Sequence, residues 1–145
     1  MVSKKILFAT ILEGNGFSAT KPREFVFEAI EGKNGISMGD LVQLLEGKCN
    51  RASVYRSVEL FEQLNIVSRI SMGWKYKLEL SELFQGHHHH ATCQSCGRII
   101  EFEETPEFTM ILDQLSSALN FQINEHSLEV QGYCSNCQPD PGSKD

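Results

Sequence analysis

The chain has 145 residues, of which 41% are hydrophobic, and its formal net charge at pH 7 is −6. This composition excludes wholesale disorder, and the sequence contains no uninterrupted apolar run of about 18 residues that would indicate a transmembrane helix. The charge is divided unevenly, with a net +3 in residues 1–78 and a net −9 in residues 79–145. This asymmetry favours a first module that can bind phosphates and a second that can attract cations. The alternative is that the charges only solvate the surface and are unevenly distributed.

The N-terminal segment is predicted to be an amphipathic helix and not a signal peptide. Its apolar stretch soon reaches Glu13 and lacks a small-x-small cleavage site. The protein is therefore expected to stay in the cytoplasm, with no association with a membrane.

Three further helices are predicted by apolar residues at helical spacing. The first has Pro22 in its opening turn. The second follows Ser37 as its N-cap and stops near Gly47, and the third follows Asn50 and extends over residues 51–64. Residues 66–70 and 74–80 then predict two strands joined by a turn. Helices followed by a two-stranded hairpin predict a winged helix-turn-helix domain over residues 1–80.

The second part of the chain predicts a smaller α/β domain. Residues 81–90 form a polar hinge, and the pattern from 91 to 138 predicts a strand at about 98–102, a helix at about 106–119 and a strand at about 121–132. Residues 139–145 are rich in proline, glycine and charge and are expected to form a flexible tail. The fold class is therefore α+β.

Four cysteines in two Cys-x-x-Cys units predict a structural zinc site in the second domain. They are Cys93, Cys96, Cys134 and Cys137. Each unit lets one tight turn present two sulfurs, and two such turns complete a tetrahedral shell with no position for a substrate. The alternatives are two disulfides, which the lack of a secretion signal disfavours, or a redox pair, which needs no second copy.

Four consecutive histidines, His87, His88, His89 and His90, precede the first cysteine. In an extended backbone their side chains alternate, so that one tetrapeptide can serve two metal sites on opposite faces. His126 is the other imidazole, and the acidic residues that can complete the sites are Glu79, Glu82, Glu101, Glu103 and Glu107. Such mixed shells suit Fe²⁺, Zn²⁺ and Mn²⁺, and a solvated polar linker is the alternative.

Four segments together resemble the ferric uptake regulator family. They are residues 20–23, 52–56, 87–102 and 126–134, and the resemblance extends from about residue 4 to residue 137. It implies a homodimer in which each chain has a winged helix and an α/β dimerisation domain. It also implies repression of metal-homeostasis genes when a regulatory ion, Fe²⁺ or another divalent metal, is bound.

The resemblance also assigns the two mixed sites. The residues that match the sensor site at the hinge are His88, His90 and Glu101. Gly35 and Lys77 stand where the family usually has further ligands, so that Glu79 or Glu82 is expected to substitute. The residues that match the second site are His87, His89 and His126, with Glu107 as the expected carboxylate.

The helix over 51–64 is expected to be the recognition helix, because its N-terminal half is the part that enters a major groove. Arg51, Ser53, Tyr55 and Arg56 are expected to face outward there, and Tyr55 can pack on a thymine methyl group while Arg56 reaches guanine or phosphate. Arg23, Lys75 and Lys77 are expected phosphate contacts, which position the protein without reading sequence. A dimer would read a palindromic double-stranded operator.

Several other functions are alternatives to a metal-sensing repressor. Within the family, a peroxide sensor and a zinc or manganese sensor are the alternatives, and Glu101 disfavours the first because peroxide sensors tend to carry aspartate there. A metalloenzyme is disfavoured because the sequence has no His-Glu-x-x-His helix, nucleophile elbow or phosphate loop. A zinc-stabilised scaffold that binds protein is the remaining alternative.

Overall fold

The computed structural model describes residues 2–139, which fall into two compact units, the first ending at Gly86 and the second beginning at His87. The elements of the first unit are α1 (Lys4–Gly14), α2 (Lys21–Ile30), α3 (Met38–Leu44), α4 (Arg51–Gln63), β1 (Val67–Met72), β2 (Lys75–Leu80) and α5 (Glu82–Gln85). Those of the second are β3 (His89–Cys93), β4 (Ile99–Phe102), α6 (Pro106–Leu119) and β5 (Glu129–Gly132). No helix within residues 2–139 has the length and apolar character needed to cross a membrane.

The first unit is a winged helix-turn-helix, as the sequence predicts. The Ser37 hydroxyl accepts a hydrogen bond from the Asp40 amide at 3.1 Å, and the Asn50 side chain accepts one from the Ser53 amide at 2.8 Å. Both predicted caps are therefore formed at the starts of α3 and α4. Strands β1 and β2 pair antiparallel in a two-stranded wing.

Aromatic rings form the centre of the first unit's core. The ring of Phe8 stacks on Phe27 with centroids 4.3 Å apart and meets Phe61 edge-on at 5.3 Å. Phe84, from α5, lies 5.4 Å from Phe27 and is buried in the same core. Burial of Phe84 is the physical reason why the first unit extends to Gly86, beyond the residue-80 boundary expected from the sequence.

The second unit is built on a three-stranded sheet in the order β4-β3-β5. Strand β3 pairs antiparallel with β4 and parallel with β5, and α6 lies between β4 and β5 in the chain. A parallel pair needs such a crossover connection. His89 and His90 belong to β3, so the last two residues of the segment predicted as a polar hinge are strand.

The last predicted strand is shorter in the structure than in the sequence pattern. Residues 121–128 have no regular structure, and only Glu129–Gly132 form β5. The reason is that pairing with β3 involves four residues, from His90 to Cys93, and a strand needs a paired neighbour. The predicted tail, residues 139–145, lies outside the described residues except for Pro139.

Candidate metal centres and nucleic-acid interface

Parallel pairing of β3 with β5 brings the two Cys-x-x-Cys turns to one end of the sheet. Cys93 lies opposite Gly132, two residues before Cys134. Each turn is closed by a backbone hydrogen bond, from the Gly97 amide to the Cys93 carbonyl at 2.9 Å and from the Cys137 amide to the Cys134 carbonyl at 2.8 Å. Gly97 has a φ of 72°, a left-handed conformation that glycine adopts without a steric cost.

The four thiols form a set that fits zinc. The sulfurs of Cys93, Cys96, Cys134 and Cys137 lie within 4.8 Å of one another, and all four are free thiols. The Cys96 and Cys134 sulfurs are 3.8 Å apart. A tetrahedral shell with Zn–S bonds of about 2.3 Å has edges of about 3.8 Å, so this donor set matches the ion in both chemistry and size.

Hydrogen bonds and neighbouring sulfurs shift the pKa values of Cys93 and Cys137 in opposite directions. The backbone amide of Cys134, aided by that of Cys96, lowers the pKa of Cys93 to about 6. The Ser95 hydroxyl lowers the pKa of Cys137, but the other three sulfurs outweigh it and raise that pKa to about 12. Four sulfurs this close together are typical of a metal site, because a bound cation keeps all of its thiol ligands deprotonated.

A second group of donors converges on one carboxylate. Oε1 of Glu104 lies 3.1 Å from Nε2 of His89 and 3.2 Å from Nε2 of His87, and it also contacts Nε2 of His126. The imidazole nitrogens of His87 and His126 are 3.1 Å apart. Hydrogen bonds from His89, His126 and His87 lower the pKa of Glu104 to about 2, so the carboxylate is ionised at neutral pH. Three imidazoles and one carboxylate form a donor set that suits Fe²⁺, Zn²⁺ or Mn²⁺.

Glu104, which no sequence motif indicates, occupies the place expected for Glu107. Glu107 lies in the first turn of α6, and the donor group formed by the three histidines contains Glu104 instead. The β3–β4 register, in which His89 pairs with Phe102, accounts for the difference. Residue 104 follows that strand closely, whereas residue 107 is already inside a helix. Glu103, the neighbouring candidate, is also outside the described donor groups.

A third set of donors lies on the other face of β3. Suitable atoms of His88, His90 and Glu101 lie within 4.8 Å of one another, and the two imidazole centroids are 4.8 Å apart. Glu101 is brought there because it pairs with His90 across the antiparallel ladder. The histidine run therefore divides between two faces, as strand alternation predicts. Glu79 lies in β2 and Glu82 in α5 of the first unit.

Helix α4 carries the residues predicted to contact DNA in the major groove. Tyr55 is 44% exposed, and the guanidinium of Arg51 lies 5.5 Å from its ring centroid. Arg56 is exposed and donates to the Ser53 hydroxyl at 3.5 Å. Val54, between Ser53 and Tyr55 in the chain, is buried. Ser53 is half-buried, and all four polar residues lie in the N-terminal half of the helix, the part of a recognition helix that enters a major groove.

The remaining predicted phosphate contacts lie at a helix start and in the wing. Arg23 is in the first turn of α2, where it donates to the Ser18 carbonyl at 2.6 Å and packs over Phe17. Lys75 begins β2 and is exposed, whereas Lys77 is half-buried and pairs with Ile70. Lys75 is thus presented to solvent more fully than Lys77.

Comparisons with known proteins agree with this architecture. The sequence model described as "Ferric uptake regulator family" matches residues 14–131. The ferric uptake regulation protein of Neisseria meningitidis is 31% identical over 133 residues, which cover 88% of this chain and 90% of that protein. The structure of the Vibrio cholerae ferric uptake regulator is similar with a TM-score of 0.74 and 28% identity, covering 88% of this chain and 99% of the other. That of the Francisella tularensis ferric uptake regulator with iron has a TM-score of 0.73 and 27% identity, with coverages of 84% and 95%.

Proposed function

This chain belongs to the ferric uptake regulator family and is a metal-dependent DNA-binding regulator, and we propose that its three donor groups divide the work between one structural and two exchangeable ions. The observation that carries the proposal is the separation of a four-thiol group from two groups of imidazoles and carboxylates. Thiolates hold zinc tightly, whereas mixed nitrogen and oxygen shells bind divalent ions less selectively.

The structural role belongs to Cys93, Cys96, Cys134 and Cys137. They join the end of β3 to the segment after β5, so that zinc binding energy there becomes folding energy of the second unit. A bound zinc would supply a closed four-coordinate link with no open position for a reactant. The chain is accordingly proposed to have no enzymatic activity.

The regulatory role belongs to His88, His90 and Glu101, with Fe²⁺ as the proposed ion. Iron is supported by relatives that are ferric uptake regulators, including one solved with iron, although the ligand types also admit Mn²⁺ and Zn²⁺. Residues His87, His89, Glu104 and His126 form the second exchangeable site. The sequence-based expectation that Glu79 or Glu82 adds a carboxylate to the regulatory site stays a prediction.

The regulator is proposed to act in the cytoplasm as a homodimer on a palindromic operator of double-stranded DNA. Arg51, Ser53, Tyr55 and Arg56 on α4 would read base edges and phosphates in the major groove, and Arg23, Lys75 and Lys77 would contact phosphates. Metal binding would favour the DNA-competent arrangement by a coupling free energy of about 1–3 kcal/mol.

The test is metal analysis of the native protein paired with a DNA-binding titration in Fe²⁺, Mn²⁺ and Zn²⁺. The probe is a duplex selected from a random-sequence pool by the metal-loaded protein. We expect one zinc per chain to survive mild chelation, and DNA affinity to fall roughly 5- to 150-fold when the exchangeable ions are removed. The ion that restores binding at the lowest concentration identifies the sensor metal.

A pair of double variants locates the sensor. His88→Ala with His90→Ala should keep the thiol-bound zinc and lose the response of DNA binding to metal. The matched control is His87→Ala with His89→Ala, which removes two ligands from the same tetrapeptide and should retain that response. A His88/His90 variant that still responds to metal would show that the sensor lies elsewhere.

A further inference from the structure

The wing carries a tryptophan at its tip that the predicted DNA contacts do not include. Trp74 is 89% exposed, the largest exposed fraction among the exposed large hydrophobic residues of the described chain. It is also the single tryptophan of the sequence. An indole is one of the largest apolar side-chain surfaces, and an indole that stays exposed to water does not stabilise the fold.

The backbone presents this ring in a defined direction. Met72 pairs with Lys75 at the end of the β1–β2 ladder, so Gly73 and Trp74 alone form the turn. Gly73 has a φ of 72°, the left-handed conformation that the first central position of a tight hairpin turn requires. A two-residue turn leaves the tip little freedom, and the indole is therefore held out from the end of the wing.

A cationic side chain lies beside the ring. The ammonium group of Lys75 lies 4.6 Å from the Trp74 ring centroid. The tip thus combines an apolar plane with a positive charge, which complements a sugar–phosphate surface and not an apolar protein groove.

We propose that Trp74 is a DNA contact, in which the indole enters the minor groove next to the half-site read by α4 while Lys75 meets a phosphate. This inference rests on the proposed DNA-binding function. Proteins that use the minor groove combine cationic side chains with apolar wedges that pack against sugars and base steps. The groove is about 6 Å wide, which admits one edge-on ring but not a helix.

The single tryptophan allows a direct test in the intact, metal-loaded protein. Acrylamide quenching of its fluorescence is measured with and without the duplex selected from a random-sequence pool. We expect the quenching constant to fall severalfold when the duplex is bound. Normal DNA binding with unchanged quenching would overturn this inference alone, and no DNA binding by the wild-type protein would overturn it together with the proposed function.

Variants separate an apolar contact from an ionic one. Trp74→Ala should weaken binding roughly tenfold, the scale of a lost aromatic contact with nucleic acid, and Trp74→Phe should recover part of it. The dependence of log affinity on log salt should keep its slope in Trp74→Ala, whereas Lys75→Ala should reduce the magnitude of that slope by about 1.

Ile6→Ala is the matched control, because Ile6 is another exposed apolar residue of the first unit, 60% exposed on α1. It should leave both affinity and slope unchanged. If Trp74→Ala binds as tightly as Ile6→Ala, or if its affinity loss comes with a changed salt slope, the indole makes no apolar contact with DNA and the inference is wrong.

Discussion

The two units of this chain bury their apolar residues very differently. The hydrophobic core cluster runs from Phe8 to Phe84 and lies wholly in the first unit. In the second unit, helix α6 has no buried residue, and Ile111, Leu115 and Leu119 are 56%, 47% and 64% exposed. These three residues recur every four positions and form one apolar stripe along the helix.

The two units are therefore stabilised by different means. The first unit has the packed interior of an independent domain, whereas a unit of about 50 residues seldom buries enough apolar surface to fold by packing alone. Several of the second unit's buried groups are instead potential metal ligands, namely Cys93, Cys134, His89 and His90. We infer that metal binding and a second copy of the chain, packed on the α6 stripe, supply the missing stability.

The largest expected effect is that of Cys93→Ser. Structural zinc contributes roughly 10–16 kcal/mol of apparent binding energy at neutral pH, and most of it should be lost with one thiolate. Zinc content should fall, and hydrogen exchange should show amide protection lost in residues 87–139 but retained in residues 2–86.

Cys49→Ser is the matched control for that variant. Cys49 is a half-buried free thiol of the first unit and belongs to none of the donor groups among the described residues. It should keep full zinc content and normal exchange. A Cys93→Ser protein with stoichiometric zinc and a protected second unit would refute the structural assignment.

The next effect in size is expected for Ile111→Glu. A charge placed on the α6 stripe would have to be buried without a partner in a dimer, at a cost of several kcal/mol. Analytical ultracentrifugation should show a shift from dimer to monomer by at least about 100-fold in dissociation constant. Leu83→Glu is matched in exposure, at 54%, and should remain dimeric. Equal dimer stability in the two variants would show that α6 is not part of the dimer interface.

The smallest expected effect distinguishes Glu104 from Glu107. Glu104→Gln removes the charged oxygen on which three imidazoles converge, and affinity for the second exchangeable ion should fall by at least about tenfold. Glu107→Gln, three residues along the chain, should leave metal affinity unchanged. Calorimetric titration with Mn²⁺ measures the affinity of both variants. A larger loss of affinity in Glu107→Gln would show that Glu107, and not Glu104, is the ligand.

Local sequence patterns were sufficient to predict much of the secondary structure and the two cysteine turns. Apolar spacing and capping residues predict α2, α3 and α4 and the hairpin that follows, because each depends on neighbours along the chain. The pairing of Cys93 and Cys96 in one turn, and of Cys134 and Cys137 in another, is local in the same way. The alternation of the four histidines follows from strand geometry alone.

Tertiary structure decided the features that depend on residues distant in the chain. Packing of Phe84 on Phe27 extended the first unit to Gly86, and the four-residue pairing with β3 limited the last strand to Glu129–Gly132. The choice of Glu104 over Glu107 depends on where the chain runs after β4, which no local periodicity encodes. Periodicity records which side of an element is apolar, whereas register and strand partners arise only when separate segments pack together.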